Sequence, residues 1–286
     1  MHWGSAADTA ECVHSLERFA YAAHDIVVID NGTAPGSLSA LRQEIDVNQV
    51  EFIRLDRNMG YAAAANRGLD RAREKKARFA WLLNNDLTAD EPDSLERLLA
   101  HAQESKATIT APRILNRTAR GKERASLREY FFPGLALTFH SDAWPVRFLT
   151  RFAAFRVFLS GAAMFIDLDA APVPFFDEQL FAYFEDLDVC LQLGEDALAT
   201  CEHVCVHHKV SRGTGGGLRK HYLKARNFPY VARKHGLRSL AFRIGYRLLF
   251  LPIEARKYLH CPRAYWQTSR RAARDARAEA GLPRQH

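Results

Sequence analysis

The sequence predicts an α/β fold with a doubly wound, mostly parallel sheet, followed by a basic helical segment at the C-terminal end. Three observations support this prediction. Short apolar strands alternate with helical stretches, polar residues follow several strands, and Lys and Arg concentrate after residue 217. Strand–helix alternation is typical of parallel sheets covered by helices. In such sheets ligands bind beyond the carboxyl ends of the strands.

The strands predicted in the first half are short runs rich in β-branched and aromatic residues. They span 25–30, 50–55, 79–83 and 107–111, and the helices between them span 37–45, 60–76 and 93–105. Asp30 ends the first strand and Asp86 follows the third. Both carboxylates are therefore expected near the ligand-binding edge of the sheet.

The second half has a less regular pattern. Residues 116–156 are rich in Arg and aromatic residues, and they are expected to form a loop-rich insertion. The sheet is expected to resume over 158–166 and 200–207, with a helix over 181–193 between these strands. From residue 218 the pattern indicates helix to the end of the chain.

The charge of the chain is divided between two parts. Residues 218–286 contain 17 Lys and Arg against 3 Asp and Glu, a net charge of +14, so residues 1–217 carry −7 of the overall +7. The Gly-rich stretch 213–217 lies at the boundary. We therefore predict an acidic domain over 1–217 and a basic helical segment over 218–286 that favours an anionic membrane surface.

Several classes of protein do not fit the sequence. No apolar run approaches the ~18–20 residues that span a bilayer, and no signal peptide is visible. The expected location is therefore the cytoplasm, at most peripheral at the inner face of the membrane. The five cysteines are odd in number and unpatterned, as reduced thiols are. Cys201 and Cys205 lack the second pair typical of a structural zinc site, which favours a strand with buried thiols.

Six segments occur in an order that resembles glycosyltransferase family 2, in its rhamnosyltransferase-like branch. They are VVIDNGT (27–33), RNMGYAAAANRG (57–68), WLLNND (81–86), SGAAM (160–164), FDEQLFAYFEDLD (176–188) and HKVS (208–211). Each is weak alone, and together they are specific. The resemblance implies a GT-A fold and inverting transfer of a hexose, such as rhamnose, from a dTDP- or UDP-sugar. The implied acceptor is a hydroxyl of a glycan or of a lipid-linked glycan.

Four residues are expected to bind the nucleotide. The resemblance implies that Asp30 accepts a hydrogen bond from the imide of uracil or thymine; a turn-forming Asp is the alternative. Asn58 precedes the Ala-rich helix, where it either caps the N-terminus or contacts phosphate. Asn66 lies inside that helix, where Asn is mildly unfavourable, and this indicates a ligand contact. Asn84 is expected to contact ribose or phosphate.

Asp86 and His208 are the candidate metal ligands. Asn84-Asn85-Asp86 occupies the place of the family's Asp-x-Asp element, but here only Asp86 is acidic. The resemblance implies that Asp86 and His208 together hold Mg²⁺ or Mn²⁺. A hard cation there would neutralise the leaving diphosphate as a Lewis acid.

Five carboxylates fall within twelve residues, at Asp177, Glu178, Glu185, Asp186 and Asp188. Favourable interaction with a helix N-terminus explains only some of them. One carboxylate close to a site can act as general base on an acceptor hydroxyl. The resemblance assigns this role to Asp186, with Glu185 orienting the acceptor.

The family's first apolar strand, which leads into the stretch beginning at His2, is not visible in this sequence. A late start, a trimmed chain or a truncated inactive member acting as a binding module are the alternatives. A sugar-nucleotide nucleotidyltransferase would need a Gly-rich basic loop after its first strand, and none is visible. No nucleic-acid partner is expected, because Tyr222, Tyr230 and Trp266 are too dispersed to form a stacking platform.

Overall fold

The structure is a computed structural model, which describes residues 1–117, 123–140, 155–209, 217–237, 239–258 and 260–278. The strands are β1 (Ile26–Asp30), β2 (Val50–Arg54), β3 (Phe79–Leu83), β4 (Leu87–Thr88), β5 (Ile109–Arg117), β6 (Glu123–Ser126), β7 (Glu129–Phe132), β8 (Leu137–His140), β9 (Arg156–Phe158), β10 (Ala163–Asp167) and β11 (Leu198–His208). The helices are α1 (Ala6–Glu17), α2 (Pro35–Glu44), α3 (Tyr61–Glu74), α4 (Ser94–Ser105), α5 (Glu185–Leu193), α6 (Leu218–Lys234), α7 (Leu240–Gly245), α8 (Leu251–Ala255) and α9 (Pro262–Ala278).

The N-terminal part consists of a parallel pair of strands with helices against it. β1 pairs with β2 in a register that sets Ile26 opposite Val50 and Asp30 opposite Arg54. Helix α1, which the sequence pattern did not indicate, begins after Ser5, whose side chain accepts a hydrogen bond from the Asp8 amide. Its buried residues, such as Val13, pack with β1 and α2 in one apolar cluster.

The main sheet has the order β3-β10-β5-β11-β4, and β6 pairs with β5 at its outer end. β5 and β11 are parallel, and β10 runs antiparallel between β3 and β5, so β3, β5 and β11 share one direction. The predicted α/β fold is confirmed, and the parallel arrangement holds for the strands followed by the predicted site residues. The antiparallel strands β4, β6 and β10 make the sheet mixed.

The expectation of a loop-rich insertion over 116–156 is wrong for the described residues. β7 pairs with both β8 and β9 in a three-stranded antiparallel sheet, and β6 extends the main sheet. Each strand has only three or four residues, too few for a clear alternation in the sequence. Phe131 on β7 is fully buried against Phe228 and Phe242, so tertiary packing stabilises these short strands.

The helix predicted over 181–193 begins only at Glu185. Phe181, Tyr183 and Phe184 have φ values of 61°, 73° and 70°, in the left-handed region that non-glycine residues rarely adopt. The carboxylates of Glu185 and Asp186 consequently lie in the first turn of α5, directly after a strained segment. A helical periodicity in the sequence cannot report such a segment, because tertiary contacts hold it.

The described residues of the basic C-terminal part form mainly helices, and a π-helix over Tyr246–Phe250 joins α7 to α8. Its aromatic side chains belong to the same hydrophobic cluster as Leu180 and Leu187 of the preceding part. Gly245 lies so close to Leu135 that a Cβ there would be 2.4 Å from the Leu135 carbonyl oxygen. The described helices after residue 217 therefore pack against the preceding part of the chain in one hydrophobic cluster. The Gly-rich stretch proposed as a boundary lies outside the described residues, except for Gly217.

None of the helices in the described part of the chain is both long and apolar enough to cross a bilayer.

Candidate active site

The site lies where β3 ends, beside the turn that leads into β10. The amide of Asn84 donates a 2.9 Å hydrogen bond to the carbonyl oxygen of Ala162. In the turn that contains Ala162, the amide of Gly161 donates a 3.1 Å hydrogen bond to Oδ2 of Asp186. These two bonds connect the end of β3 to the first turn of α5. The predicted Asn84-Asn85-Asp86 element and the predicted base thus belong to adjoining segments.

Asp86 and His208 meet, as the resemblance implied. β4 directly follows Asp86 and pairs antiparallel with the end of β11, with Leu87 opposite His208. Nε2 of His208 lies 3.2 Å from Oδ1 of Asp86, and Nδ1 lies 3.0 Å from Oδ1 of Asn116. Both side chains are largely buried, with 10% of Asp86 and 17% of His208 exposed.

The tautomer of His208 decides what this pair can bind. In the tautomer that donates from Nδ1 to the amide oxygen of Asn116, the lone pair of Nε2 faces the Asp86 carboxylate. Two electron-rich atoms 3.2 Å apart require a proton or a cation between them. Imidazole and carboxylate are both ligands for Mn²⁺-like metals.

A divalent cation fits this pair when phosphate oxygens and water complete its coordination. The described residues contain no cluster of three or more His, Cys, Asp or Glu side chains that could hold a metal alone. Mg²⁺ is commonly bound by one or two carboxylates together with substrate phosphates and water. Asp86 and His208 therefore suit an ion that arrives with a diphosphate.

The carboxylate of Asp186 is held by two backbone amides. Oδ2 accepts from Gly161, and Oδ1 accepts a 2.8 Å hydrogen bond from Leu187. Burial raises the pKa of Asp186, the negative charge of Glu129 on β7 raises it further, and the two amide hydrogen bonds partly oppose this. A carboxylate with a raised pKa is a better proton acceptor near neutral pH than an ordinary Asp.

Glu185 lies beside Asp186 in the first turn of α5 and is largely buried. Burial raises the pKa of Glu185, and the neighbouring charge of Asp186 raises it further. Its Oε2 atom is buried and accepts no hydrogen bond from the described residues. A buried carboxylate oxygen without a hydrogen bond lowers the stability of the fold. Such an oxygen can accept a hydrogen bond from a bound hydroxyl or take up a proton.

Asn227 on α6 holds the segment that presents the two carboxylates. Its amide nitrogen lies 2.7, 2.9 and 2.9 Å from the carbonyl oxygens of Leu180, Ala182 and Tyr183. The side chain is fully buried. These contacts span the residues with positive φ, so Asn227 fixes the backbone ahead of Glu185. Nothing in the local sequence indicated this role, because the two segments are far apart along the chain.

Asp30 lies at the end of β1 and is fully buried. Its Oδ1 accepts from both the amide and the hydroxyl of Thr33, at 2.9 and 2.7 Å, as in the turn expected from the sequence. Oδ2 accepts no hydrogen bond from the described residues and lies 3.5 Å from Arg54 Nη1. One oxygen of Asp30 is thus used by the turn, while the other retains an acceptor position.

The side chains of Asn58, Asn66 and Asn84 differ in the hydrogen bonds that they form within the protein. Oδ1 of Asn58 accepts from the amide of Gly60, which is itself the N-cap residue of α3, so Asn58 does not cap the helix. The Asn66 amide bonds to both the N–H and the carbonyl of Phe176 and to Glu178, and it is buried. Asn66 therefore has a structural use. The half-buried Asn84 side chain forms no hydrogen bond with the described residues.

Asp188 serves the packing of α5 against the end of α6. Its two oxygens lie 2.8 Å from Lys234 Nζ and 2.8 Å from His235 Nε2. Residues that the sequence did not single out as functional include Glu129, Asn116 and Asn227. Each acts on the site from a distant part of the chain, so only the folded structure reveals it.

Comparison with known proteins identifies the family. Residues 4–162, more than half of the chain, match the family described as Glycosyl transferase family 2. No curated protein sequence matches the chain at a significant level.

Solved structures show the same fold at low sequence identity. The mannosyltransferase PcManGT from Pyrobaculum calidifontis, in complex with GDP-Man and Mn²⁺, has 15% identity and a TM-score of 0.55, covering 99% of this chain and 74% of its own. GalNAc-T7 with UDP, GalNAc and Mn²⁺ has 16% identity and a TM-score of 0.54, covering 87% of this chain and 55% of its own. TarS from S. aureus has 15% identity and a TM-score of 0.53, covering 98% of this chain and 52% of its own.

This chain accordingly spans only about half the length of GalNAc-T7 and of TarS. The shared fold and the family match agree with the α/β architecture described above. The chain belongs to glycosyl transferase family 2 and has a GT-A-like fold.

Proposed function

We propose that this protein transfers a hexose, with inversion, from a dTDP- or UDP-sugar to a hydroxyl of a glycan or lipid-linked acceptor. One structural observation supports this proposal most. The segment that bears Asp86, which contacts His208, and the segment that bears Asp186 are both hydrogen-bonded to the turn at Gly161 and Ala162. A site for a diphosphate and a general base for a hydroxyl thus adjoin. Rhamnose remains the sugar suggested by the sequence motifs.

Asp86 Oδ1 and His208 Nε2 would hold Mg²⁺ or Mn²⁺ together with the donor diphosphate. The cation supplies Lewis-acid stabilisation of the negative charge that develops on the departing nucleoside diphosphate. Asn116 keeps the ring of His208 in the tautomer that presents Nε2. Such a partner on the second ring nitrogen typically orients a metal-bound histidine.

Asp186 accepts the proton of the acceptor hydroxyl. The hydroxyl oxygen attacks the anomeric carbon from the face opposite the leaving group and forms the new C–O bond. The bond from that carbon to the diphosphate oxygen breaks, and its electron pair leaves with the nucleoside diphosphate. Glu185 orients the acceptor. The amides of Gly161 and Leu187 hold Asp186 in place, so the base needs no reorganisation.

The nucleotide is bound by Asp30, Asn58 and Asn84 in this proposal. The free acceptor oxygen of Asp30 suits the imide N–H that uracil and thymine share. Asn84 has an amide available for ribose or phosphate. Asn66 is left out, because its amide is engaged with Phe176 and Glu178.

The helical face around α7 suits an anionic membrane surface at the inner face of the cell membrane. Leu240, Ile244 and Leu248 are 69%, 50% and 67% exposed, and they recur every four residues. The intervening Arg243 and Arg247 are exposed too. An apolar stripe flanked by Arg is the composition of helices that lie in the membrane interface. Phe250 and Leu251, which follow Leu248 closely, are buried and belong to the core.

Calorimetric titration with UDP, dTDP, GDP and ADP, with and without Mn²⁺, tests the proposed function. We expect UDP or dTDP to bind more tightly than GDP or ADP, and only with Mn²⁺ present. Release of the diphosphate from the matching sugar nucleotide then reports turnover. Binding without turnover would instead support an inactive binding module. Binding of a nucleoside triphosphate and sugar phosphate in preference to any diphosphate would support the nucleotidyltransferase.

A further inference from the structure

Tyr61, the first residue of α3, contacts the turn that holds the carboxylate of Asp186. Its hydroxyl donates a hydrogen bond to the carbonyl oxygen of Gly161. The amide of the same glycine donates the 3.1 Å hydrogen bond to Oδ2 of Asp186. One residue of the turn is therefore held by Tyr61 through its carbonyl group and holds the carboxylate through its amide.

The Tyr61 hydroxyl and the Asp186 carboxylate lie on the same side of Gly161. A Cβ built on this glycine would be 3.7 Å from Oη of Tyr61 and 3.6 Å from Oδ2 of Asp186. Burial raises the pKa of the Tyr61 hydroxyl, and the negative charges of Glu185 and Asp186 raise it further. The hydroxyl therefore keeps its proton at neutral pH and acts as a hydrogen-bond donor.

The residues just before Tyr61 are fixed by the segment that follows β1. Oδ1 of Asn31 accepts a 2.9 Å hydrogen bond from the amide of Met59, and Nδ2 of Asn31 donates a 3.1 Å hydrogen bond to the carbonyl oxygen of Gly60. Asn31 directly follows Asp30. The start of α3 is therefore positioned by the same segment that bears the proposed contact to the nucleobase.

The start of α3 also contacts the segment that leads into α5. The amide of Ala62 donates a 3.2 Å hydrogen bond to the carbonyl oxygen of Phe181. Gly60 lies so close to this segment that a Cβ there would be 2.5 Å from the same oxygen. Tyr61 thus lies between two residues that are packed against the backbone ahead of Asp186.

We propose that Tyr61 is a positioning residue for the base: its hydroxyl fixes the turn at Gly161, and this turn holds Asp186 in a set position relative to the start of α3. The inference rests on the proposed function in one respect, which is that Asp186 is the base. Tyr61 acts through Gly161 and takes no part in making or breaking bonds.

The contact predicts the direction in which Asp186 responds when the hydroxyl is lost. Burial and the charge of Glu129 raise the pKa of Asp186, whereas the hydrogen bond from Gly161 lowers it. A turn that is no longer held by Tyr61 donates less effectively, so the pKa of Asp186 should rise further. The titratable groups of the described residues that interact electrostatically with Asp186 include Glu185, Cys190, Glu129 and Tyr61.

The test uses three variants of the full chain. Tyr61→Phe removes only the hydroxyl. Gly161→Ala keeps the hydroxyl but adds a methyl group 3.3 Å from Cβ of Asp186, which disturbs the same contact from the turn. Tyr246→Phe is the matched control, because the hydroxyl of Tyr246 also donates to a buried backbone carbonyl, that of Ala225, at 2.7 Å. That hydrogen bond lies within the C-terminal helices.

Two kinds of measurement are made on each variant. Carboxyl ¹³C NMR of aspartate-labelled protein gives the pKa of Asp186 without any substrate, and Asp186→Asn assigns the signal. Steady-state kinetics with the preferred sugar nucleotide gives kcat and the acidic limb of the kcat/KM profile. Calorimetry with Mn²⁺ gives the affinity for the nucleoside diphosphate.

Tyr61→Phe is expected to raise the pKa of Asp186 by about 0.3 or more and to move the acidic limb to higher pH. It should lower kcat by about 10-fold or more and change nucleoside diphosphate affinity by less than about two-fold. Gly161→Ala should act in the same direction. Because both changes act on one contact, the double variant should show less than the sum of their effects. Tyr246→Phe should change neither the pKa of Asp186 nor kcat.

An unchanged pKa of Asp186 in Tyr61→Phe would overturn the proposal, whatever the activity. An equal change in Tyr246→Phe would also overturn it, because a general loss of stability would then explain the effect. A shifted pKa with unchanged kcat would overturn the role of Tyr61 in the reaction. If the unmodified protein transferred no sugar from any nucleotide, the proposed function would fail, and the NMR titration would still decide whether Tyr61 positions this carboxylate.

Discussion

The backbone amide of Gly161 donates a hydrogen bond of 3.1 Å to Oδ2 of Asp186. The carbonyl oxygen of Gly161 accepts a hydrogen bond from the hydroxyl of Tyr61. A Cβ at position 161 would lie 3.3 Å from Cβ of Asp186, which is closer than most side chains tolerate. Glycine at position 161 therefore lets the turn approach the carboxylate of Asp186 closely and hold it by a backbone hydrogen bond.

The acidic limb of the activity profile depends on Glu129. Its negative charge raises the pKa of Asp186, second only to burial. The proposed base must be ionised to accept a proton, so activity is expected to fall as the pH falls through the raised pKa of Asp186. Glu129→Gln removes the charge, and the limb of the kcat/KM profile should move to lower pH. Glu202→Gln, at an exposed residue paired with Arg113, is the matched control and should leave the limb unchanged.

The same shift has a defined sign for stability. The folded state holds a proton on Asp186 at pH values where an unfolded Asp has already lost it. The free energy of unfolding should therefore fall as the pH rises from the ordinary Asp range through the raised pKa. Glu129→Gln should reduce this fall. An acidic limb that stays in place or moves upward in Glu129→Gln would contradict the electrostatic account of the base.

Asp86 and His208 should act on donor binding as one unit. Asp86→Ala should abolish the dependence of UDP or dTDP affinity on Mn²⁺, and His208→Ala should weaken it in the same direction. Because both side chains would share one ion, the losses in the double variant should be smaller than their sum. Calorimetry with Mn²⁺ and with EDTA measures the four affinities of this cycle.

His207→Ala is the matched control for this cycle. His207 adjoins His208 on β11, but its Nε2 lies 3.6 Å from Asp90. Its removal should leave the Mn²⁺ dependence intact. Fully additive losses for Asp86 and His208, or an equal loss in His207→Ala, would count against a shared ion.

Asn227 should behave as a positioning residue for the segment before α5. Asn227→Ala removes the donor to three carbonyl oxygens and should lower the free energy of unfolding by about 1–3 kcal/mol. Amide exchange over 181–185 should accelerate, and kcat should fall more than nucleotide affinity. Asn48→Ala, whose amide contacts only the exposed Asp46, should change stability by less than about 0.5 kcal/mol. An unchanged kcat in a destabilised Asn227→Ala would show a purely structural role.

The exposed stripe of Leu240, Ile244 and Leu248, on α7 and the π-helix that follows it, should bind anionic lipid. The segment 218–286 has a net charge of +14, and each Lys or Arg near such a surface adds about 1 kcal/mol, screened by salt. The full chain should sediment with vesicles containing phosphatidylglycerol, and added salt should weaken this binding. Substituting Leu240, Ile244 and Leu248 by Ser should reduce binding at constant charge. This is a sharper change than deleting the segment, because its helices belong to the core.

Val173→Ser provides the control for exposed apolar surface, since Val173 is 70% exposed elsewhere on the protein. It should leave vesicle binding unchanged. Equal binding to neutral phosphatidylcholine vesicles, or no binding to either kind, would contradict the membrane assignment. A solvated basic face on the packed helices would then account for the charge.

Features encoded locally could be predicted from the sequence. The β-branched run at Ile26–Asp30 and the aromatic run at Phe79–Leu83 became β1 and β3. Motifs at the strand ends identified Asp86 and His208, and the structure brings these two side chains into contact.

The features that could not be predicted depend on distant contacts. The left-handed conformation at Tyr183 requires Asn227. The internal use of Asn66 requires Phe176, which is 110 residues away along the chain. A mid-helix Asn indicates an unusual hydrogen bond, but the sequence alone does not reveal whether the partner is ligand or protein.

Replacement of Asp186 by Asn tests the central claim most directly. The isosteric amide keeps the space of the side chain but cannot accept a proton from the acceptor hydroxyl. Nucleoside diphosphate release from the preferred sugar nucleotide, in the presence of acceptor, should fall by roughly 10²–10⁴-fold, while calorimetry shows nucleotide affinity nearly unchanged. Turnover close to that of the unmodified protein would show that Asp186 is not the base.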